Sequence, residues 1–410
     1  MGYKKIAFSG ISWMMSLNVV VGLLSVIKIA TLARLLMPSD FGLLGIALLS
    51  LALLELLTET GINVFLIQTK EGLLKYLDSA WVISILRGIL IMIIFLISSP
   101  LISYFFNSPQ ALGLLYLISL VPFLRGFINP YEIVFQKELK FNYEFIYRLS
   151  LAVMDAGVSI ILAVITRSVY SLVWGMIASV SLELLVSFVI IKPRPSFMFK
   201  RSQMIEIFHQ GKWVTFYGIL NYVAENIDDI LVGRILGTYS LGIYQLAYKI
   251  GNFTVTEVTN VVNQVFFPLY SKIADDVQGF KRVFLKSTFA LSLIVIAINV
   301  LVILYAKDII LIFLGQKWIA AIVPLQVLAF YSMIRSIVGY PSSFFLALKK
   351  QHYVAVMTFT RAIVLSISIL PFLYVFGLVG AAYSALLSVI AETPIVLILL
   401  YKAFKFNETS

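Results

Sequence analysis

Long apolar runs alternate with short polar segments along the whole chain. Most of these runs are long enough to cross the ~30 Å hydrocarbon core of a bilayer, which takes about 20 helical residues. The pattern predicts twelve membrane helices, at approximately 11–36, 42–67, 79–101, 112–135, 149–166, 169–191, 211–236, 240–268, 285–306, 320–348, 353–376 and 378–401. Residues that end helices, such as Pro38, Pro100 and Gly377, stand at the joins between the runs. The fold class predicted is therefore an all-α polytopic membrane protein.

The composition excludes the other broad classes of protein. Of the 410 residues, 61% are hydrophobic and only 12% are charged, against roughly 25% charged in an average soluble domain. This much apolar surface could not be buried in one soluble core, and disorder requires low hydrophobicity. A β-barrel is disfavoured because its signal is alternation over about ten residues.

The distribution of lysine and arginine predicts the orientation. A cytoplasmic N-terminus places 20 of the 31 basic residues in cytoplasmic segments, 5 on the opposite side and 6 within spans. Cytoplasmic loops carry such an excess of positive charge. We therefore expect a multi-pass protein of the cell (plasma) membrane with both termini in the cytoplasm. The net charge of +11 follows from this topology, so no nucleic-acid partner is expected.

The two halves of the chain resemble each other. With a shift of 200 residues, ARLLMPSDFGLLGIA, which begins at Ala33, lies on GRILGTYSLGIYQLA, which begins at Gly233. Arg125 and Arg335 also occupy related places. A duplicated unit of six helices keeps its membrane orientation, so the pseudo-two-fold axis lies along the membrane normal. The prediction is an N-terminal six-helix bundle at 1–200 and a C-terminal six-helix bundle at 201–410.

Ionisable residues inside the predicted spans are candidates for function, because a charge at the bilayer centre costs at least ~2.5–3.5 kcal/mol on insertion scales. The acidic candidates for coupling to a proton or Na⁺ are Glu225, Asp228 and Asp229 in the seventh span, and Glu55 and Glu59, which are one helical turn apart. For any single residue, a salt bridge between spans that serves packing alone remains open. Asp228 or Asp229 could pair with Arg234 in that way.

Enzyme signatures are missing from the sequence. The two histidines, His209 and His352, do not have a metal-ligand spacing, and no phosphate-binding loop, nucleophile elbow or HExxH motif occurs. Cysteine is absent. We therefore expect a protein that is not an enzyme, with no catalytic residue, metal or cofactor. Gly233 and Gly237 fit a GxxxG pattern at a helix end, where we expect a turn or hinge.

Four segments resemble those of Wzx-type polysaccharide flippases, which belong to the superfamily of multidrug, oligosaccharidyl-lipid and polysaccharide exporters. They are LARLLMPSDFG (Leu32 to Gly42), NPYEIVFQKELKF (Asn129 to Phe141), NIDDILVGRILGTYSLGIYQLAYKI (Asn226 to Ile250) and FGLVGAAYSALLS (Phe376 to Ser388). The resemblance covers nearly the whole chain. It implies a V-shaped, MATE-like fold of two six-helix bundles.

The resemblance also implies a function. A flippase of this kind moves a polyprenyl-diphosphate-linked oligosaccharide from the inner to the outer leaflet by alternating access, for cell-surface polysaccharide biosynthesis. Its expected partners are this lipid-linked sugar, membrane lipids, a proton or Na⁺, and polysaccharide assembly proteins. Arginine suits the geometry of phosphate groups. The candidate cations of the substrate cavity are Lys28, Arg34, Arg87, Arg125, Arg234, Lys249, Arg335 and Arg361.

Two other functions remain open at this point. A multidrug/cation antiporter of the same superfamily would need an acidic cavity, whereas five predicted spans carry cations. A membrane glycosyltransferase or polymerase would need a sizeable soluble portion or a clustered acidic loop, and neither is visible in the sequence.

Overall fold

The computed structural model describes residues 3–59, 75–137, 141–198, 200–261 and 277–408. These residues are almost entirely helical, and no β-strand occurs among them. Eight of their helices are long and apolar enough to cross a membrane: Ser16–Leu35, Pro38–Leu57, Leu77–Phe105, Phe141–Thr166, Tyr170–Val189, Arg282–Leu304, Gln316–Ala347 and Gln351–Phe404. The predicted all-α, multi-pass class is confirmed at this level.

The described residues of the first half form eight α-helices. They are α1 (Tyr3–Leu35), α2 (Pro38–Leu57), α3 (Leu77–Phe105), α4 (Ala111–Ile118), α5 (Leu120–Gly126), α6 (Val134–Lys137), α7 (Phe141–Thr166) and α8 (Tyr170–Val189), with a 3-10 turn at Pro130–Ile133. The start of α2 is fixed locally. Met37 is extended, Pro38 occupies the first turn, and the Met37 N–H donates to Asp40 Oδ2 at 2.8 Å. This bond satisfies a backbone donor at the helix end.

In the second half, the part of the chain that the structure describes forms seven more α-helices. They are α9 (Arg201–Gly251), α10 (Phe253–Val261), α11 (Val277–Leu304), α12 (Ala306–Ile309), α13 (Ile322–Gly339), α14 (Pro341–Ala347) and α15 (Gln351–Glu408). A π-helical turn at Ile310–Leu314 and a 3-10 turn at Gln316–Ala321 lie between α12 and α13.

Two glycines interrupt the two longest helices. Gly237 in α9 has a φ of 79° and Gly377 in α15 has a φ of 59°. An L-residue with a side chain rarely adopts such angles, and glycine adopts them without a steric cost. The seventh and eighth predicted spans are therefore separated by a break at one residue, as are the last two. The turn expected at Gly233–Gly237 is confirmed.

Several predicted span boundaries are wrong. The second span, predicted at 42–67, ends as a helix at Leu57, and residues 60–74 lie outside the described residues. The third span, predicted at 79–101, continues through Pro100 to Phe105.

The fourth span, predicted at 112–135, ends as a helix at Gly126. Asn129 is extended because it precedes Pro130, and the chain continues as a 3-10 turn. The fifth span, predicted to start at residue 149, begins at Phe141. Its first turns contain the i,i+4 ion pair Glu144–Arg148, which stabilises a helix even where it is polar.

The chain divides into two compact units, Met1–Val223 and Ala224–Ser410. In the first unit α7 packs against α1 and α8, and α3 packs against α5. In the second unit α13 packs against α11 and α15. The division predicted at residue 200 separates two membrane bundles of six helices each. The compact units do not test this division, and it stays a prediction.

A close crossing of α3 and α5 depends on glycine. A Cβ atom on Gly88 would lie 2.6 Å from the carbonyl oxygen of Pro122, and one on Gly126 would lie 2.8 Å from that of Ser84. Both obstacles are backbone atoms, so no side-chain rotation relieves the overlap. The crossing lies directly beside Arg87 and Arg125, the residues that precede these glycines.

We predict that Gly88→Ala destabilises the protein by about 1–3 kcal/mol, because the two helices must move apart. Thermal unfolding of the purified protein in detergent measures the change. Gly157→Ala is the matched control: Gly157 also lies in a helix, but no atom would be within 4 Å of its new Cβ. That variant should be as stable as the wild type or more stable. Equal melting temperatures for Gly88→Ala and wild type would contradict the role given to the crossing.

Candidate functional site

The first unit contains a polar cavity of about 320 Å³. Its charged lining consists of four carboxylates and two guanidinium groups, Glu55, Glu59, Glu132, Glu183, Arg87 and Arg125. The two crossing glycines and Pro122 lie in its wall. The cavity therefore brings together two of the predicted substrate cations and the Glu55–Glu59 pair.

The two arginines meet Glu55 and Glu59. Arg87 donates from Nη2 to the backbone oxygen of Glu55 at 2.6 Å and to Glu59 Oε2 at 3.2 Å, and from Nε to Thr58 Oγ1 at 3.3 Å. Arg125 donates from Nη1 to Glu55 Oε1 at 3.0 Å. Glu55 lies in α2, whereas Glu59 lies two residues past the end of that helix, so the two carboxylates do not share a helical face as predicted. Each of them still receives a cation from another helix.

Glu132 forms another part of the cavity lining. It lies in the 3-10 turn, outside the candidate membrane helices, and its Oε2 accepts a hydrogen bond from the Tyr147 hydroxyl at 2.7 Å. Burial raises the pKa of Glu132 from its usual 4.5 to about 7, against the lowering effect of this hydrogen bond. Glu132 can therefore exchange a proton near neutral pH. The sequence analysis misses Glu132, although an ionisable residue inside the predicted fourth span is itself a signal.

Lys28 belongs to a separate cluster. Its Nζ donates to Asp155 Oδ2 at 2.6 Å, which links α1 to α7. Close packing of α8 supports this contact, because a Cβ atom on Gly175 would overlap Ser159 Oγ and lie 2.9 Å from Asp155 Oδ1. Lys28 is not part of the lining of the cavity described above.

The second unit contains its own arginine–carboxylate cluster. Glu225 Oε1 accepts from Nη2 of Arg335 at 3.2 Å and from Nη2 of Arg361. Nη1 of Arg361 also lies 3.8 Å from Glu392 Oε2. The guanidinium carbon of Arg335 lies 5.9 Å from the centre of the Tyr331 ring. Helices α9, α13 and α15 therefore contribute two arginines and two carboxylates to one cluster.

Asp228 lies one turn beyond Glu225 on α9 but has different neighbours. Its Oδ2 accepts from the Tyr244 hydroxyl at 2.7 Å, and its Oδ1 accepts from the backbone N–H of Asp229 at 3.0 Å. Asp228 is buried, with 5% of its surface exposed. Within the described residues it meets a tyrosine hydroxyl and no basic side chain. The predicted acidic trio is therefore divided: Glu225 pairs with arginines, and Asp228 does not.

The remaining predicted cations are distributed elsewhere. Arg34 is exposed near the end of α1, while Arg234 precedes the break at Gly237 and Lys249 lies near the end of α9. Within its own unit, the structure thus groups Arg87 with Arg125 and Arg335 with Arg361. Among the described residues, no group of three or more histidine, aspartate or glutamate side chains is placed to hold a metal ion.

Comparison with known proteins identifies the family. The family described as polysaccharide biosynthesis protein matches residues 31–323, which is more than half of the chain. An uncharacterized membrane protein in the cps region of Klebsiella pneumoniae is 26% identical, over 91% of this chain and 77% of that protein. The lipopolysaccharide biosynthesis protein WzxC of Escherichia coli is 24% identical, over 82% of this chain and 69% of that protein.

Two solved structures have a similar fold. An inward-facing multidrug resistance MATE family transporter of the MOP superfamily superposes with a TM-score of 0.76 and 13% identity, over 95% of this chain and 96% of that one. The lipid II flippase MurJ gives a TM-score of 0.73 and 16% identity, over 95% and 87%. The resemblance to Wzx-type proteins of this superfamily is thereby confirmed, and the chain belongs to the polysaccharide biosynthesis protein family.

Proposed function

We propose that the protein is a flippase that moves a polyprenyl-diphosphate-linked oligosaccharide from the inner to the outer leaflet by alternating access. The observation that carries this proposal is the pair of arginines in each unit, Arg87 with Arg125 and Arg335 with Arg361, on helices of apolar sequence. The family, and relatives named for lipopolysaccharide and teichuronic acid biosynthesis, support the same substrate class.

The chemistry of a diphosphate fits these pairs. A guanidinium group donates two parallel hydrogen bonds to phosphate oxygens, and such charge-assisted bonds are stronger than neutral ones. In surroundings of low dielectric constant, the same charges interact more strongly than in water. Two arginines on different helices therefore suit a ligand with two linked phosphates.

A twelve-span plan with bundles at 1–200 and 201–410 accounts for the observed helices. Twelve spans result if the shorter apolar segment Ala111–Gly126 is the fourth, if α9 and α10 supply the seventh and eighth, and if α15 supplies two around Gly377. Helix breaks recur in the same order in both halves. They lie at Met37, Asn107 and Arg167, and then at Gly237, Gly315 and Gly377. This order supports a duplicated six-helix unit.

A cation antiporter is the second candidate. The cavity of the first unit favours it, because four carboxylates face two guanidinium groups there. A cationic drug would find complementary charge in such a cavity. The two proposals differ in the phenotype of a strain that lacks the protein: increased drug sensitivity for the antiporter, and retained lipid-linked sugar for the flippase.

For the flippase we predict that lipid-linked oligosaccharide accumulates in the inner leaflet of the deletion strain. Wild-type protein should relieve the accumulation, while Arg125→Ala and Arg335→Ala should transport roughly 10–100-fold less, since a hydrogen bond to a charged group contributes about 1.5–3 kcal/mol. Lysine at either position should rescue only in part, because a point charge lacks the fork of arginine. The readout is the fraction of lipid-linked sugar accessible from outside.

A double variant separates this role from a structural one. Arg125→Ala leaves Glu55 without its 3.0 Å partner, whereas Arg125→Ala with Glu55→Gln removes both charges. A purely structural pair would regain both expression and transport in the double variant. If the arginine binds substrate, the double variant folds but still does not transport. Arg194→Ala, which removes an exposed arginine that does not line the cavity, is the control.

The orientation yields a second prediction. The chain contains no cysteine, so single cysteines report accessibility without background. Cysteines at the exposed positions Gln110 and Gln316 should react with an impermeant thiol reagent added outside the cell, and those at Met198 and His352 should react only after the membrane is opened. The reverse pattern would contradict the cytoplasmic termini.

The acidic residues of α9 yield a third prediction. One of two adjacent buried carboxylates can be neutralised by a proton or Na⁺, and Asp228 has no basic partner among the described residues. We propose that ion binding at Asp228 and Asp229, with Glu225 nearby, drives transport. Asp228→Asn should abolish the dependence of reconstituted flux on imposed proton or Na⁺ gradients. The control Asp308→Asn, an exposed acid in the same unit, should keep this dependence. Wild-type flux that ignores both gradients would contradict coupling.

A further inference from the structure

Both arginines of the cavity in the first unit are already occupied. Glu59 accepts from Arg87, and Glu55 accepts from Arg125. An incoming phosphate therefore cannot gain the full strength of either guanidinium group while these pairs persist. An anion that binds there therefore competes with these carboxylates for the positive charge of the two guanidinium groups.

The two pairs are exposed enough to exchange. The side chains of Arg125 and Glu55 are 47% and 31% exposed, and those of Arg87 and Glu59 are 26% and 34% exposed. By contrast, Arg361 and Glu392 in the second unit are 14% and 4% exposed. Exposed ion pairs contribute little to stability, so their dissociation costs little. The carboxylates of Glu55 and Glu59 can thus leave without loss of the fold.

Arg87 keeps its position when the carboxylates leave. Arg87 still donates to the backbone oxygen of Glu55 and to Thr58 Oγ1, neither of which depends on the Glu59 side chain. The glycine crossing of α3 and α5 fixes the backbone beside both arginines. A pair of donors held in place before the ligand arrives loses less entropy on binding.

We propose that Arg87 and Arg125 form a binding site for a diphosphate group, and that Glu55 and Glu59 occupy this site as internal competitors in the absence of ligand. The inference takes its ligand class from the proposed function and deepens it. According to this proposal the two glutamates weaken anion binding, so removal of their charge strengthens it.

Other charged groups of the cavity also influence its affinity for an anion. Glu132 and Glu183 also line the cavity, and Tyr147 meets Glu132 from α7. These two carboxylates are present in the wild type and in the variants of Glu55 and Glu59 alike. A difference in affinity between a Glu55 or Glu59 variant and the wild type therefore reports the loss of the competing carboxylate. It does not report the electrostatic effect of the other carboxylates in the cavity.

The test is calorimetric titration of the purified full chain in detergent with inorganic pyrophosphate, at one pH and one salt concentration. Glu55→Gln and Glu59→Gln should each bind pyrophosphate roughly two- to fivefold more tightly than wild type, the range that corresponds to loss of an exposed pair. Arg87→Ala and Arg125→Ala should bind at least about tenfold more weakly. Arg194→Ala and Asp308→Asn, which remove exposed charges that do not line the cavity, should bind like wild type.

A second titration identifies the source of the diphosphate. Farnesyl diphosphate should show the same dependence on the four residues, with tighter binding than pyrophosphate if the site serves a lipid-linked ligand. Equal affinities would assign the site to soluble diphosphates. If Arg125→Ala fails to unfold cooperatively, Arg125→Lys replaces it, because lysine preserves the charge opposite Glu55. That variant should bind more weakly than wild type.

Three results would overturn the inference. They are glutamine variants that bind no more tightly than wild type, arginine variants that bind equally well, and absence of binding to both wild type and the Glu55→Gln/Glu59→Gln double variant. None of them would contradict the proposed flippase function. That function is contradicted only if lipid-linked sugar reaches the outer leaflet in a strain without the protein. If that happened, a measured effect of Glu55 and Glu59 on the affinity for diphosphate would still stand.

Discussion

Arginine side chains inside apolar helices impose the main constraint on this structure, because each of them must meet a carboxylate or a ligand. A charge at the centre of a membrane costs several kcal/mol unless another group satisfies it. Arg87 and Arg125 in the first unit, and Arg335 and Arg361 in the second, each reach a carboxylate outside their own helix. The helices are therefore positioned by their charged residues as well as by apolar packing. In lipid the hydrophobic effect contributes little to the association of helices, so these polar contacts largely determine which helices pack together.

Glycine provides the second constraint, in two different ways. At Gly88 and Gly126 the missing side chain lets two helices cross at backbone distance, which brings the neighbouring arginines to the same cavity. At Gly237 and Gly377 the missing side chain permits a positive φ, which ends one helix and starts the next within a single residue. Connections of this kind leave no room for a soluble domain at these two positions.

The sequence predicted the fold class well because hydrophobic length is a strong signal. Apolar runs and glycine or proline breaks located most helices, and the expected turn at Gly237 follows from the same rules. The helix end at Gly126 was harder to predict, because the apolar pattern continues past it while the backbone does not. Pro130 was the available signal. The contacts of the site were beyond prediction: spacing predicted that Glu55 and Glu59 share a helical face, which is wrong, and only the crossing of three helices shows that Arg87 and Arg125 meet them.

The two halves also differ in a way that bears on what the arginines do. Arg125 and Arg335 occupy related places, yet Arg125 pairs with Glu55 of α2, whereas Arg335 pairs with Glu225 of α9. With the shift of 200 residues, the counterpart of Glu225 is Ser25 and the counterpart of Glu55 is Val255. The carboxylate partner has thus moved from one helix to another, while the arginine has kept its place. A charge that serves packing alone needs only some partner nearby, and the pair could shift together. An arginine that stays while its partner changes is better explained by a group of negative charge that the arginine binds within its own unit, and this supports an anionic ligand.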